Sequence, residues 1–294
     1  MMRAALVLLA LFVLATPVPG VLANPLPDAP RAYTPELAAE MSAEEQRLEA
    51  GRHLQMAQPD LVEARRWLEA AAGGGSVEAM GAVGWLYQQG LGVEPDADRA
   101  LDYYTQAYEA GEDEYGLRIA WMHVQGLGME PDRIQGEEWF RRVIDERDNS
   151  AARLALATLL VSDAMSSLRP DRAAEARDLL TRALDDGMEE AAYYLARMHI
   201  EGVGNVPADR GLAARYTRMG AEAGNPQMQG WMAVLHARGE GVPMDLVEAH
   251  KWASLAASGG DATGEQLRRE LGARLERTEL HEARRRALLW INEN

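Results

Sequence analysis

The stretch Ala79-Met80-Gly81-Ala82-Val83-Gly84-Trp85-Leu86-Tyr87 is apolar or small throughout. Its apolar positions fall at helical spacing and predict a helix. Gly90-Leu91-Gly92 ends that helix, because Gly supplies the positive φ that a helix end needs. Pro95 cannot continue a helix and belongs to the connection. Asp96 and Asp98 are candidate N-caps for a second helix, which runs through Ala100 and Tyr108 and closes at Gly111. Residues 77–111 therefore read as helix, turn, helix.

The same marks return down the chain. Pro59, Pro95, Pro131, Pro207 and Pro243 are spaced by 36, 36, 76 and 36 residues, and Pro170 divides the long step into 39 and 37. An acid follows each within two positions: Asp60, Asp96, Asp132, Asp171, Asp209 and Asp245. Gly-x-Gly recurs at Gly90/Gly92, Gly126/Gly128, Gly202/Gly204 and Gly239/Gly241. A bulky second-helix residue recurs as Trp67, Tyr104, Phe140, Leu180, Tyr216 and Trp252, with closing glycines at Gly74, Gly111, Gly187, Gly224 and Gly259. A fixed period in this range marks a repeat array, in which each unit buries its apolar face only against its neighbours. The expected fold is all-α, an α-solenoid of about six helix-turn-helix repeats over residues 35–260. One repeat is degenerate: around residues 162–168 the Gly-x-Gly is missing, so its connection is expected to be longer or looser. The first repeat pairs a helix over 35–57 with one over 61–72. Charged amphipathic helices over 262–275 and 279–292, within residues 261–294, would cap the last apolar layer.

Residues 1–23 have the layout of a secretory signal peptide: Arg3 near the start, an apolar run over 4–15, then Pro17, Pro19 and Gly20 before Val21-Leu22-Ala23. The apolar run is well short of the ~20 residues needed to span a bilayer. Cleavage is expected after Ala23, with residues 24–34 an irregular leader and the mature chain periplasmic or secreted. The 30 Lys and Arg against 46 acids give a net charge of −16. That field opposes nucleic acid and anionic membranes, leaving cationic partners or a simply solvated acidic face. With no Cys, disulfides, thiolate metal sites and cysteine catalysis are excluded.

Little other chemistry survives. The Gly-x-Gly pairs follow helices rather than strands, and no Gly-x-x-x-x-Gly-Lys exists, so phosphate-loop readings fail on context. His123, His199 and His236 each lie three residues before a Gly-x-Gly, where residues 77–111 have Tyr87. Such a ladder could sense pH; the plainer reading is a slot that wants a flat side chain with a polar tip. A shared metal is not expected, because equivalent positions lie on the order of 15–20 Å apart when helices pack at about 8–10 Å. His250 and His281 are expected to be solvated. The acidic pairs Glu137/Glu138 and Glu189/Glu190 diverge by about 100° on a helix and do not face each other across a substrate, as a glycosidase requires. No catalytic residue, cofactor or metal is expected.

The order Ala…Leu-Gly…Tyr…Gly-x-Gly-Val…Asp…Ala…Trp…Ala-Ala…Gly resembles the Sel-one-like repeat (SLR), a relative of the tetratricopeptide repeat. Residues 79–111 and 191–224 match it closely, and Lys251-Trp252-Ala253-Ser254-Leu255-Ala256-Ala257 is similar to the family's last repeat. The resemblance implies a right-handed superhelix of paired helices that serves as an adaptor or regulator of protein complexes, with no shared chemistry. It departs from the disulfide-linked secreted subgroup, having no Cys. A β-lactam-binding reading would need a Ser three residues before a Lys, but Glu248 stands three before the only lysine, Lys251.

In such arrays the first helices line a concave groove. Trp85 and Trp121 share one slot in successive first helices, which Arg197 takes later in the chain. Tyr193 and Arg153 are neighbouring groove candidates. Trp and Arg are enriched in binding hot spots, although aromatic residues at repeat spacing also serve as core between repeats. The expected function is a non-catalytic adaptor or regulator of the bacterial cell envelope that binds a protein or peptide, an envelope sensor among the candidates. The alternatives are a cell-wall or polysaccharide hydrolase or its accessory, and a structural spacer.

Overall fold

A computed structural model describes residues 29–166 and 169–293. The expected signal peptide, and the leader up to residue 28, lie outside the described residues. The chain divides into two compact units, one ending at Asn149 and the other beginning at Ser150.

The first unit contains α1 (Pro35–Ala39), α2 (Ala43–Leu54), α3 (Leu61–Gly73), α4 (Val77–Gln89), α5 (Ala97–Glu109), α6 (Asp113–Gln125) and α7 (Arg133–Arg147). Within this unit the pair α2/α3 packs against α4/α5, and α4/α5 against α6/α7. The second unit contains α8 (Ser150–Met165), a 3-10 turn at Pro170–Arg172, α9 (Ala173–Asp185), α10 (Glu190–Glu201), α11 (Arg210–Glu222), α12 (Pro226–Arg238), α13 (Leu246–Ser258), α14 (Ala262–Gly272) and α15 (Arg277–Glu293). Its pairs are α8/α9, α10/α11 and α12/α13, and both α14 and α15 lie against α13. The all-α solenoid architecture of packed helix pairs is therefore present in each unit among the described residues, three pairs in the first and three with a helical cap in the second.

The residues that punctuate the sequence build these pairs directly. Asp60, Asp96, Asp132, Asp209 and Asp245 each cap a second helix, their carboxylates accepting from the amide three residues on. Asp171 does not: it lies in the 3-10 turn, pairs with Arg169, and α9 starts two residues later without a side-chain cap. The backbone N–H of each capping Asp also reaches back to the first helix. It donates to the carbonyl of His53, Tyr87, His123, His199 and His236 in turn, at 3.2, 3.0, 2.8, 3.0 and 3.0 Å. Every connection of this type is thus closed at both ends.

Both glycines of each Gly-x-Gly have positive φ. The second also permits close stacking on the preceding repeat: a Cβ at Gly92 would stand 2.5 Å from the Leu61 carbonyl oxygen, at the start of α3. The closing glycine with left-handed geometry is Gly75 in the first pair and Gly260 in the last, one residue beyond the Gly74 and Gly259 read from the sequence. Asp148 (φ 54°) ends α7 in the same way and is the one non-glycine with positive φ among the described residues.

The helix expected over 35–57 is two helices. Ser42 and Glu45 form a reciprocal capping box that starts α2 afresh after Ala39. The leader residues 29–34 are irregular but pinned. The Arg31 backbone amide and guanidinium both donate to the fully buried Glu49, and its carbonyl accepts from Trp67 Nε1 at 3.1 Å. Tyr33 packs edge-on against the Trp67 ring at 5.1 Å. Burial alone would raise the Glu49 carboxyl, but the Arg31 hydrogen bonds and the Arg52 charge reverse this and hold it below the ordinary carboxylate range.

Candidate functional site

The bulky second-helix ladder occupies two adjacent positions. Counted from the capping Asp, Trp67, Tyr103, Trp139, Tyr216 and Trp252 stand at the seventh residue, and Tyr104 and Phe140 at the eighth. Tyr104 and Phe140 are fully buried core. The seventh position meets the flat slot of the first helix: Tyr87 lies over Tyr103 at 6.1 Å and 10°, and His199 over Tyr216 at 5.9 Å and 17°. The Tyr87 hydroxyl donates to Glu69 at 2.6 Å and accepts from Arg99 at 2.7 Å. The Tyr87 side chain therefore ties its own pair to the preceding repeat, whereas His199 packs within its own pair. His53 is a further occupant of this slot, its Nε2 at 2.8 Å from the Arg31 carbonyl.

Burial pushes the His123, His199 and His236 imidazoles below the usual histidine range, against smaller opposing pulls from Asp132, Asp209 and, for His236, the Pro243 carbonyl. His250 differs from its solvated reading. It is buried on α13 next to the Ser254 hydroxyl, and burial, with the Arg284 and Arg268 cations, lowers it too.

The groove candidates meet different fates. Trp85 on α4 keeps part of its ring exposed. Trp121 on α6 occupies the equivalent slot but is only 7% exposed, its ring edge-to-face with Phe140 at 5.2 Å. The groove reading of Trp121 is corrected accordingly, because the indole is a packing element of the α6/α7 pair. Arg153 is likewise internal. It is 6% exposed and its guanidinium contacts Asp186 at 2.8 Å, so it is committed within the α8/α9 pair rather than offered to a partner. Tyr193 and Arg197 lie one turn apart on α10, both partly exposed, and Arg197 pairs with Glu201 at 3.1 Å.

The second unit adds a residue that sequence reasoning missed. Trp231, near the middle of α12, stacks on Tyr193 at 5.1 Å and 19°, and Tyr194 meets Tyr193 edge-on at 5.2 Å. Tyr193 and Trp231 rest on the apolar core of this unit while remaining partly exposed. Beside them is a cleft of about 280 Å³ lined by Glu189, Glu190, Tyr193, Gly220, Gly224 and Met228. An aromatic pair from consecutive first helices, with an Arg on one side and an acidic lip on the other, can grip a peptide by stacking and by polar contacts. Glu137 is buried while its neighbour Glu138 is exposed, so that pair diverges. Among the described residues no three His, Asp or Glu side chains are grouped to hold a metal, and no helix is long and apolar enough to cross a membrane.

The Sel1 repeat family model matches five segments, residues 47–76, 77–112, 116–146, 189–225 and 226–261, more than half of the chain. The protein belongs to the Sel1 repeat family. The five matches coincide with helix pairs described above, and the degenerate α8/α9 pair falls between the third and the fourth. Sel1 repeats are generally protein-interaction scaffolds. Among solved structures, this Sel1 repeat protein is similar to one from Oxalobacter formigenes, with 24% identity over 76% of this chain and 93% of that one and a TM-score of 0.53. That likeness concerns the fold alone. It also matches a protective antigen of uropathogenic Escherichia coli displaying an SLR fold (20% identity, 87% of this chain and 62% of that one, TM-score 0.46). A third match is an immunity protein from Pseudomonas aeruginosa (16% identity, 82% and 90%, TM-score 0.38). No curated protein matches the chain.

Proposed function

We propose that the chain is a non-catalytic adaptor or regulator that binds a peptide or protein segment on the first-helix face of its second unit. The observation that carries this reading is the Tyr193–Trp231 stack. Two partly exposed aromatic rings from consecutive repeats lie 5.1 Å apart, with Arg197 one turn along α10 and an open cleft alongside. Aromatic and Arg side chains of this kind dominate the energetics of protein interfaces. The signal-peptide pattern of residues 1–23 supports placing this activity in the cell envelope, where a sensor or an envelope complex would be the partner.

The test is capture from envelope extract by the wild-type chain and by Trp231→Ala, with helicity followed by circular dichroism. The expected result is a partner retained by the wild type and lost by a variant that is still fully helical. Equal retention by both chains would remove the aromatic face from the function. Recovery of an uncleaved chain in the cytoplasm would remove the envelope assignment.

A further inference from the structure

In the first unit, residues 29–34 lie as an irregular strap across α2 and α3. The strap buries almost nothing of its own. Arg31, Ala32 and Thr34 are exposed, Pro30 and Tyr33 are only partly covered, and the first buried residue of the described chain is Ala38 on α1. The side chains that meet it are the opposite: Glu49 and Trp67 are fully buried and His53 is 5% exposed.

Those side chains hold the strap mainly by its backbone. The Arg31 N–H donates to Glu49 Oε2 at 3.1 Å, and the Arg31 carbonyl lies 2.8 Å from His53 Nε2 and accepts from Trp67 Nε1 at 3.1 Å. The Tyr33 N–H donates to Glu63 Oε2 at 2.7 Å. Two alternate side chains are engaged as well, Arg31 by Glu49 and Tyr33 by the edge-on Trp67 ring, while Ala32 between them is exposed. Main-chain hydrogen bonds for affinity and alternate side chains for specificity are the means by which proteins receive extended peptides. Neither helix needs the strap to form. The Ser42–Glu45 capping box starts α2, and Asp60 caps α3. Glu49 also has Arg52, one turn away, as a partner, so lifting the strap does not leave its charge alone. A segment with exposed backbone bonds and few buried apolar contacts opens locally, without global unfolding.

We propose that this face of α2 and α3 is a peptide-binding site, independent of the aromatic face of the second unit and closed in cis by residues 29–34. Its ligand is an extended segment of a partner protein that carries Arg and, two residues on, an aromatic side chain, the chemistry the strap itself displays. The tether gives the strap an effective concentration on the order of mM, so a free segment enters when the strap is lifted or outcompeted.

The test uses the full chain and a fluorescein-labelled peptide with the sequence of residues 29–35, followed by fluorescence anisotropy. A peptide with Ser in place of both Arg and Tyr is the control. Arg31→Ser/Tyr33→Ser in the full chain disables the strap, and both changes lie outside every helix and the buried core, so helicity is kept. The labelled peptide should bind this variant about tenfold or more tighter than the wild type, and the control peptide should bind neither. Adding Glu49→Gln should weaken binding about tenfold. Hydrogen exchange on the wild type needs no variant and should show the Arg31 and Tyr33 amides exchanging about a hundredfold or more faster than the Leu68 amide inside α3. Trp231→Ala, which tests the aromatic face, leaves the peptide affinity unchanged, so the two sites fail or succeed separately. No binding to the double variant, equal binding to both chains, an affinity untouched by Glu49→Gln, or strap exchange at the rate of Leu68 would each overturn the proposal. A wild-type dimer at about 100 µM in sedimentation velocity would put a second copy's strap in the site and overturn the assignment to a partner protein.

Discussion

Gly81 lies within α4, where the following repeat comes closest. A Cβ there would stand 1.9 Å from the Tyr115 hydroxyl oxygen and 2.2 Å from its Cζ. Tyr115 is only 4% exposed and stacks on Tyr104 at 5.5 Å, so the ring cannot swing aside freely. Gly81→Ala would gain about 1 kcal/mol in helix propensity. Against this stands overpacking of about 1–3 kcal/mol and partial loss of a ring contact of about 0.5–1.5 kcal/mol. The packing terms win, and a net destabilisation of about 1–2 kcal/mol is expected. Gly73→Ala is the control: it is also helical, with nothing within 4 Å of an added Cβ and no positive φ, and should be neutral or slightly stabilising. Thermal unfolding followed by helical circular dichroism reads both. Gly81→Ala should lower the midpoint by several degrees, and shortening the obstructing ring in Gly81→Ala/Tyr115→Leu should cost less than the two single changes together. A Gly81→Ala midpoint at or above that of Gly73→Ala would refute the reasoning.

Other outcomes follow from the same contacts. Asp245→Ala removes the cap on the Glu248 amide at 2.9 Å and should cost about 1 kcal/mol in urea denaturation; no change would mean that α13 is held by packing alone. Glu49→Gln removes the charge and one of the two oxygens that accept from Arg31, which is half exposed, so a discounted loss of about 1–2 kcal/mol is expected, with a red shift of Trp67 emission as residues 29–34 loosen. The buried His123, His199, His236 and His250 are held below their ordinary pKa, so the unfolded chain takes up protons first. Stability should fall as pH drops below about 6.5, and fall again below about 4.5 as Glu49 and Glu248, also held low, become protonated. A urea midpoint unchanged between pH 7.5 and 5 would contradict the histidine part.

The architecture was legible because its punctuation is local. A capping Asp and a left-handed Gly act within one turn, so their spacing maps onto helix ends without knowledge of the packing. What depends on a distant neighbour was not legible. Trp85 and Trp121 share a slot, yet Phe140 covers the second. Arg153 looked available until Asp186, 33 residues away, claimed it. Trp231 occupies a position filled in other repeats by Ala82, Arg118 and Tyr194, so no recurrence drew attention to it. His53 stands outside the ladder visible in the sequence because no Gly-x-Gly follows it, and Asp171 follows its Pro just as the capping acids do, although a 3-10 turn cannot be told from a helix start by spacing alone.

The bond from each capping amide to the slot carbonyl joins main chain to main chain. It therefore places no demand on what the slot residue is, and Tyr and His occupy it with the same connection behind them. Each of these five repeats thus holds an interchangeable socket on a fixed frame. A lineage, or a designer, can alter the slot side chain, its polarity, its proton affinity or its reach, without redrawing the loop that carries it.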